Sequence, residues 1–225
     1  MDLSTIRHSL AHVMAAVVTD MFPGTRLAIG PSIDNGFYYD FDFTTDFSGE
    51  QLKEIEKRMK KFLKKNHLFE HYTLPVDEAL AYYEKEENPY KVELITELKE
   101  KGESEVSFYK VNNFVDLCKG PHVEKSKDIP FAFKLDKTAG AYWRGDEKNK
   151  MLTRIYGLAF ETKEELAEYI AQREEALRRD HRKLGQELEL FVIHENVGKG
   201  LPMLLPKGAT LRRILERFTV DEELA

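Results

Sequence analysis

A chain of 225 residues, 42% hydrophobic and 33% charged, holds enough apolar material for one large core, or one and a half, and reads as globular. No apolar run reaches membrane-span length, residues 1–20 lack a charged-then-apolar leader layout, and the lone Cys118 excludes an internal disulfide, so a cytoplasmic protein is expected. The net charge of -6 and pI near 5.7 argue against a broad basic nucleic-acid surface while leaving local patches open.

The first predicted element is a helix over about residues 5–21, with Ser4 as its N-cap. Ile6, Leu10, Val13, Val17 and Met21 form one apolar stripe at helical spacing. His8 and His12, four apart, share a face roughly opposite it, together with the small Ala15 and Thr19. Small residues let another layer approach, so this helix is expected to be covered on both sides. Taken alone, the two histidines read as surface groups. Residues 27–43 read as β, with Asp34-Asn-Gly36 as a tight hairpin turn that exploits the positive φ tolerated by Asn-Gly. Beyond the turn, Phe37, Tyr39, Phe41 and Phe43 alternate with Tyr38, Asp40 and Asp42. Tyr39 is therefore the polar-tipped ring on an otherwise apolar face, serving either as a core tyrosine or as a hydroxyl reaching into a cleft.

Ser48-Gly-Glu-Gln51 has capping-box form and opens a helix to about residue 66, with Leu52, Ile55, Met59, Phe62 and Leu63 inward. Lys53–Lys65 holds seven Lys/Arg against two Glu, which suits a solvated face or a contact with phosphates. His67 and His71 repeat the four-residue spacing but lie on a predicted strand and read as ordinary exposed histidines. Short helices are expected near 76–87 and 90–101, the second opening with a lysine, Lys91, that alone would be a surface residue. Strand follows at 106–117, with a turn at Asn112-Asn113, and again at 131–160. A helix over about 162–180 ends in the basic group Arg178–Lys183, and a further helix starts near Thr210. The change of pattern puts a domain boundary near 180–185.

The chemistry sits in His8-Ser-Leu-Ala-His12 and Asp116-Leu-Cys118-Lys-Gly-Pro-His122. The Gly-Pro step breaks regular structure, which puts Cys118 and His122 where a strand runs into a loop. Two chemistries fit this set. His8, His12, Cys118 and His122 form a legitimate zinc-ligand set, able to lower the pKa of a bound water. Alternatively, imidazoles position and deprotonate water without metal, with Lys91 supplying positive charge to a developing oxyanion. Cys118 as a nucleophile ranks last, because an activated ester needs only a placed water.

Five motifs in order, Arg7–His12, Ala28-Ile-Gly-Pro31 with Ile33–Tyr39, Asp116–His122, Lys137–Arg144 and Arg154–Gly157, resemble the editing domain of threonyl-tRNA synthetases. Arg179–Gly185 and Leu205–Gly208 resemble the linker and the entrance to the class II catalytic domain of those enzymes. The two-histidine helix is also similar to that of alanyl-tRNA editing proteins, which hold zinc there. The threonyl-type site is thought to work without metal.

The resemblance implies an α+β fold, an antiparallel sheet packed around a long central helix, followed by a helical linker. It divides the chain into an editing domain at 1–160, a linker at 161–184 and the start of a catalytic domain at 185–225. It implies hydrolysis of seryl-tRNA(Thr) by water attack on the aminoacyl ester. His8 and Lys91 would place and activate the water, while His12, Cys118 and His122 complete the wall. Asp116 would hold the amino group or hydroxyl of serine, and Tyr39 would position substrate or the terminal adenosine. Editing would need no cofactor. ATP, Mg and a catalytic-domain Zn would belong to the remainder of the parent enzyme, a homodimer that attaches threonine to tRNA(Thr), a reaction this chain should not perform. A zinc-dependent hydrolase and a non-catalytic tRNA-docking module are the alternative classes. Stoichiometric zinc would favour the first, and salt-dependent tRNA binding without ester hydrolysis the second.

Overall fold

The structure, a computed structural model, describes residues 2–224. Helix α1 (Leu3–Met21) organises the first of two compact units, which runs to Leu166. Asp2, not Ser4, is its N-cap. Ser4 lies inside the first turn, its hydroxyl 3.0 Å from that of Ser32. The stripe residues Ile6, Leu10, Val13 and Val17 are buried, and so are His12 and Ala15 behind them, so α1 is covered on both sides as its small-residue face predicts. Arg7 ties the helix to the sheet by donating to the carbonyls of Ala159 (3.0 Å) and Ile33 (3.3 Å).

The sheet behind α1 is antiparallel and five-stranded. Strands β1 (Arg26–Leu27) and β2 (Ser32–Ile33) pair with opposite ends of β3 (Gly36–Asp42). On its other edge β3 pairs with β8 (Met151–Ala159), which pairs in turn with β7 (Phe133–Tyr142). Phe37, Tyr39 and Phe41 point inward as the alternation predicts, meeting Leu10, Met14 and Val18 of α1 and Ile55, Met59 and Leu63 of α2 (Leu52–Lys64) in one core. Fully burying a side chain of this size contributes about 1.5–3 kcal/mol. The opposite face of β3 is not simply solvated. Asp40 receives both arms of Arg154 (2.6 and 2.8 Å), and Asp42 accepts from Tyr90 (2.8 Å) and Lys150. The predicted capping box also forms, with the Ser48 amide donating to the Gln51 side chain at 2.9 Å.

A second, smaller core lies in the same unit. Strands β4 (Phe69–Pro75), β5 (Glu105–Val111) and β6 (Phe114–Leu117) form an antiparallel sheet, with helices α3 (Val76–Lys85) and α4 (Pro89–Glu100) packed on it through Val76, Ala79, Tyr83, Ile95 and Phe108. The turn between β5 and β6 falls at Asn112-Asn113, where Asn112 takes a φ of 56°. Trp143–Gly145 forms a 3-10 turn rather than a continuation of strand. The second unit, from Ala167, contains most of α5 (Lys163–Arg178), then α6 (His181–Glu187), a hairpin of β9 (Phe191–Val192) and β10 (Met203–Leu204), and α7 (Pro206–Leu224). Helix α7 begins at Pro206, four residues before the Thr210 expected, because proline suits a first helical position where no amide is needed. The first unit is thus α+β, with its five-stranded antiparallel sheet packed against the central helix α1. None of the described helices is long and apolar enough to cross a membrane.

The hairpin at Asp34-Asn35 corrects the reason for its glycine. Ile33 pairs with Gly36, leaving a two-residue turn in which neither Asn35 nor Gly36 has a positive φ. Gly36 is required by close approach instead, since a Cβ there would lie 1.9 Å from the Gly157 carbonyl of β8. Gly36→Ala is therefore expected to lower stability by about 1–3 kcal/mol, the cost of forced overpacking, seen as an earlier urea midpoint at unchanged slope.

Candidate active site

Each site residue is delivered by a different constraint. Helical spacing stacks His8 and His12 on α1, with ring centroids 5.3 Å apart. The end of β6 presents Asp116, and the loop after it, which contains a cis Gly120-Pro121 bond, carries Cys118 and His122. Helix α4 supplies Lys91 in its first turn, where Pro89 opens the helix and the Asn88 side chain accepts the Lys91 amide. That start turns Lys91 inward. It is buried, contrary to its surface appearance in the sequence.

These residues form two adjoining clusters. In the first, His8 Nε2 lies 2.9 Å and His122 Nε2 3.3 Å from Cys118 Sγ. The His8 and His122 rings stack at 4.5 Å, and His12 meets His122 edge-on at 4.1 Å. His8 Nδ1 is 3.1 Å from the Gly30 carbonyl. A carbonyl only accepts, so Nδ1 carries the proton and Nε2 keeps its lone pair. Burial lowers the pKa of His8 below the imidazole norm; the Gly30 bond and Asp116 oppose this, and Lys91 reinforces it. Burial also holds His12 and His122 well below that norm, with the neighbouring imidazoles adding to the effect. Cys118 is pushed up to about 11, chiefly by burial. It is therefore a thiol at neutral pH, a poor nucleophile.

In the second cluster, Lys91 Nζ sits 2.6 Å from Asp116 Oδ1, both side chains at most 3% exposed. Tyr39 donates to Asp116 Oδ2, and Tyr83 donates to Oδ1 at 3.2 Å while accepting the Leu117 amide at 2.8 Å. Lys91 also approaches the Tyr39 hydroxyl at 3.4 Å. A carboxylate offers about four acceptor sites, and three at Asp116 are occupied. A buried pair of this kind is costly to desolvate and contributes little net stability.

All seven residues singled out in the sequence thus gather in one place. Ser9, Tyr83 and Gly30 were missed as site residues. Ser9 falls inside the His8–His12 stretch and Gly30 inside Ala28–Pro31, where its lack of a Cβ admits the Tyr39 ring. Tyr83 carried no signal beyond helical amphipathicity. His71 is exposed as expected, but His67 is half-buried, with Nε2 enclosed and without a partner.

His8, His12, Cys118 and His122 offer ligand atoms all within 4.8 Å of one another. Imidazole and thiol donors at that separation, with His12 Nδ1 buried and unpartnered, fit zinc. Zinc held there would supply Lewis acidity and a more acidic bound water.

Residues 106–156 match the family described as the threonyl and alanyl tRNA synthetase second additional domain. The chain is 57% identical over 219 residues to a threonine--tRNA ligase of Clostridium botulinum, covering 97% of this chain and 33% of the relative. It is 53% identical over 216 residues to that of Acetivibrio thermocellus (96% and 33%), and 52% identical over 217 residues to that of Borreliella burgdorferi (96% and 37%). The resemblance seen in the motifs is borne out, and the chain spans about a third of the length of these curated relatives.

Two outcomes follow from the geometry. Asp116→Ala strands Lys91 in the interior and is expected to cost about 3–5 kcal/mol, measured by urea unfolding. The lowered histidines mean that the unfolded chain binds more protons as pH falls below its normal imidazole range. Stability is therefore complete well above about pH 6.5, from about pH 7.5 upward, and is lost progressively on acidification. The urea midpoint should drop between about pH 7.5 and about pH 5, and His12→Leu should flatten that dependence.

Proposed function

We propose that this relative of threonine--tRNA ligases is the editing part of such an enzyme, hydrolysing the ester of seryl-tRNA(Thr). The observation that carries the reading is His8: a neutral imidazole that donates from Nδ1 to the Gly30 carbonyl and turns its Nε2 lone pair to Cys118 Sγ, where a water can take the place of the thiol, near the buried Lys91–Asp116 pair. A water at Nε2 would attack the aminoacyl carbonyl carbon. His8 takes the water's proton, the carbonyl electrons move to oxygen, and the tetrahedral intermediate collapses to free serine and the terminal ribose hydroxyl. The imidazolium formed is stabilised by its Gly30 bond and by Asp116 and returns the proton to the leaving oxygen. Lys91 supplies positive charge near the developing oxyanion, and Asp116, with Tyr39 and Tyr83, holds Lys91 in place. Its remaining acceptor site is available to the serine amine. His12, Cys118 and His122 wall the pocket.

The need for such a site is physical. Serine is threonine less one methyl, and a pocket shaped for the larger group rejects the smaller by only about 1–3 kcal/mol. A second site that excludes threonine by size supplies the missing discrimination. tRNA(Thr) would be the partner. Lys61, Lys64 and Lys65 on and just after α2 form no ion pair among the described residues and are offered to its phosphates. The site is proposed to act without a resident metal, in a cytoplasmic enzyme whose remaining part attaches threonine using ATP.

The test is discharge of seryl-tRNA(Thr) against threonyl-tRNA(Thr), with and without chelator. Chelator-resistant loss of the seryl ester alone, slowed about 10²–10⁴-fold by His8→Ala, is expected. Chelator sensitivity would give the site to zinc. An intact seryl ester over salt-sensitive tRNA binding would leave a docking module.

A further inference from the structure

Ser9 stands between the two histidines of α1 and is fully buried. Its hydroxyl meets the Val123 amide at 3.0 Å, His122 Nδ1 at 3.0 Å and the Thr5 carbonyl at 2.8 Å. We infer that Ser9, His122, Cys118 and His8 form one directed hydrogen-bond chain, with Ser9 the positioning residue that sets the tautomer of His122.

The direction comes from the two ends. At one end the Val123 amide can only donate, so a lone pair of Ser9 accepts it. At the other, the Gly30 carbonyl can only accept, so His8 donates from Nδ1 and presents an acceptor Nε2 to Cys118. One order of protons between these ends gives both rings and the thiol a partner, with the single Ser9 proton shared between His122 Nδ1 and the Thr5 carbonyl. Ser9 Oγ–H donates to His122 Nδ1, His122 Nε2–H donates to Cys118 Sγ, and Cys118 S–H donates to His8 Nε2. The Gly120 amide, 3.2 Å from Sγ, is a second donor to the sulfur. The Thr5 carbonyl, which also takes the i→i−4 bond of its own helix, is the second acceptor of the Ser9 proton at 2.8 Å. Were Ser9 to donate there instead, His122 would carry its proton on Nδ1. Both Nε2 lone pairs would then compete for one thiol hydrogen, leaving a buried imidazole nitrogen unpaired, at the usual penalty.

Two stacked rings of the same residue type therefore hold opposite tautomers, His8 on Nδ1 and His122 on Nε2. The thiol is a hydrogen-bond donor that orients the His8 lone pair until water replaces it. This last consequence rests on the proposed hydrolysis; the tautomer assignment does not.

Imidazole nitrogen NMR on the full, metal-stripped chain tests it. The expected spectrum has a protonated Nδ1 on His8 and a protonated Nε2 on His122. Ser9→Ala should shift the His8 Nε2 resonance through Cys118, and the shift should vanish in a Cys118→Ala background. Ser9→Ala should also slow seryl-ester discharge roughly ten-fold at near-constant KM, less than loss of a general base. Matching tautomers on the two rings, or a His8 signal indifferent to Ser9→Ala, would overturn the chain. If Ser9→Ala fails to fold, the wild-type spectrum still decides the tautomers. A wild type with the opposed tautomers and no discharge would defeat the editing reading and leave this one standing.

Discussion

The Lys91–Asp116 pair joins four segments that are far apart in sequence. Asp116 ends β6, Lys91 opens α4, Tyr39 comes from the middle of β3 and Tyr83 from α3. The larger core around α1 and the smaller core under β4–β6 therefore meet at one buried carboxylate. Hydrophobic packing alone does not explain such a joint. Two charges taken out of water cost several kcal/mol each, and apolar residues of similar volume often do as well or better. Two tyrosine hydroxyls satisfy the carboxylate that the pair buries.

Around His8 the two charges act in opposite senses, on top of the larger effect of burial. Burial works against a charged imidazole, and Lys91 adds to that, while Asp116 and the Gly30 carbonyl favour the charged form. The ring is neutral at rest, yet partners are already in place for the cation that proton abstraction would create. Preorganisation of this kind lowers the cost of a transient charge without reorganisation at the moment of reaction. The same burial that keeps the three imidazoles neutral couples the site to stability, because an acidified chain gains protons by unfolding.

Much of this was legible in the sequence, for identifiable reasons. The α1 stripe and its small-residue back face follow from helical periodicity, and the alternation in β3 follows from strand pleat. His8, His12, Cys118 and His122 stood out because reactive residue types recurred in two short stretches. Lys91 was not legible by its residue type: a lysine in the first turn of a helix looks solvated, and only the Asn88 cap, the Pro89 entry and the distant Asp116 bury it. Tyr83 was missed because its role depends on a carboxylate thirty-three positions away. Gly36 was noticed for the wrong reason, since turn chemistry is local, whereas its contact with Gly157 exists only once β8 has paired. Ser4 and Asp2 compete for one cap, a choice that sequence preference alone does not make.

The central claim is that a buried, neutral imidazole takes a proton from water at an ester carbonyl. Its most direct test is the pH dependence of single-turnover discharge of seryl-tRNA(Thr), corrected for spontaneous hydrolysis. The account predicts a rate that is level through neutrality and falls only in acid, with its midpoint below about pH 6.5 because the His8 pKa is lowered from the imidazole norm. A midpoint above neutrality, or a rate that climbs with hydroxide and never levels, would contradict it.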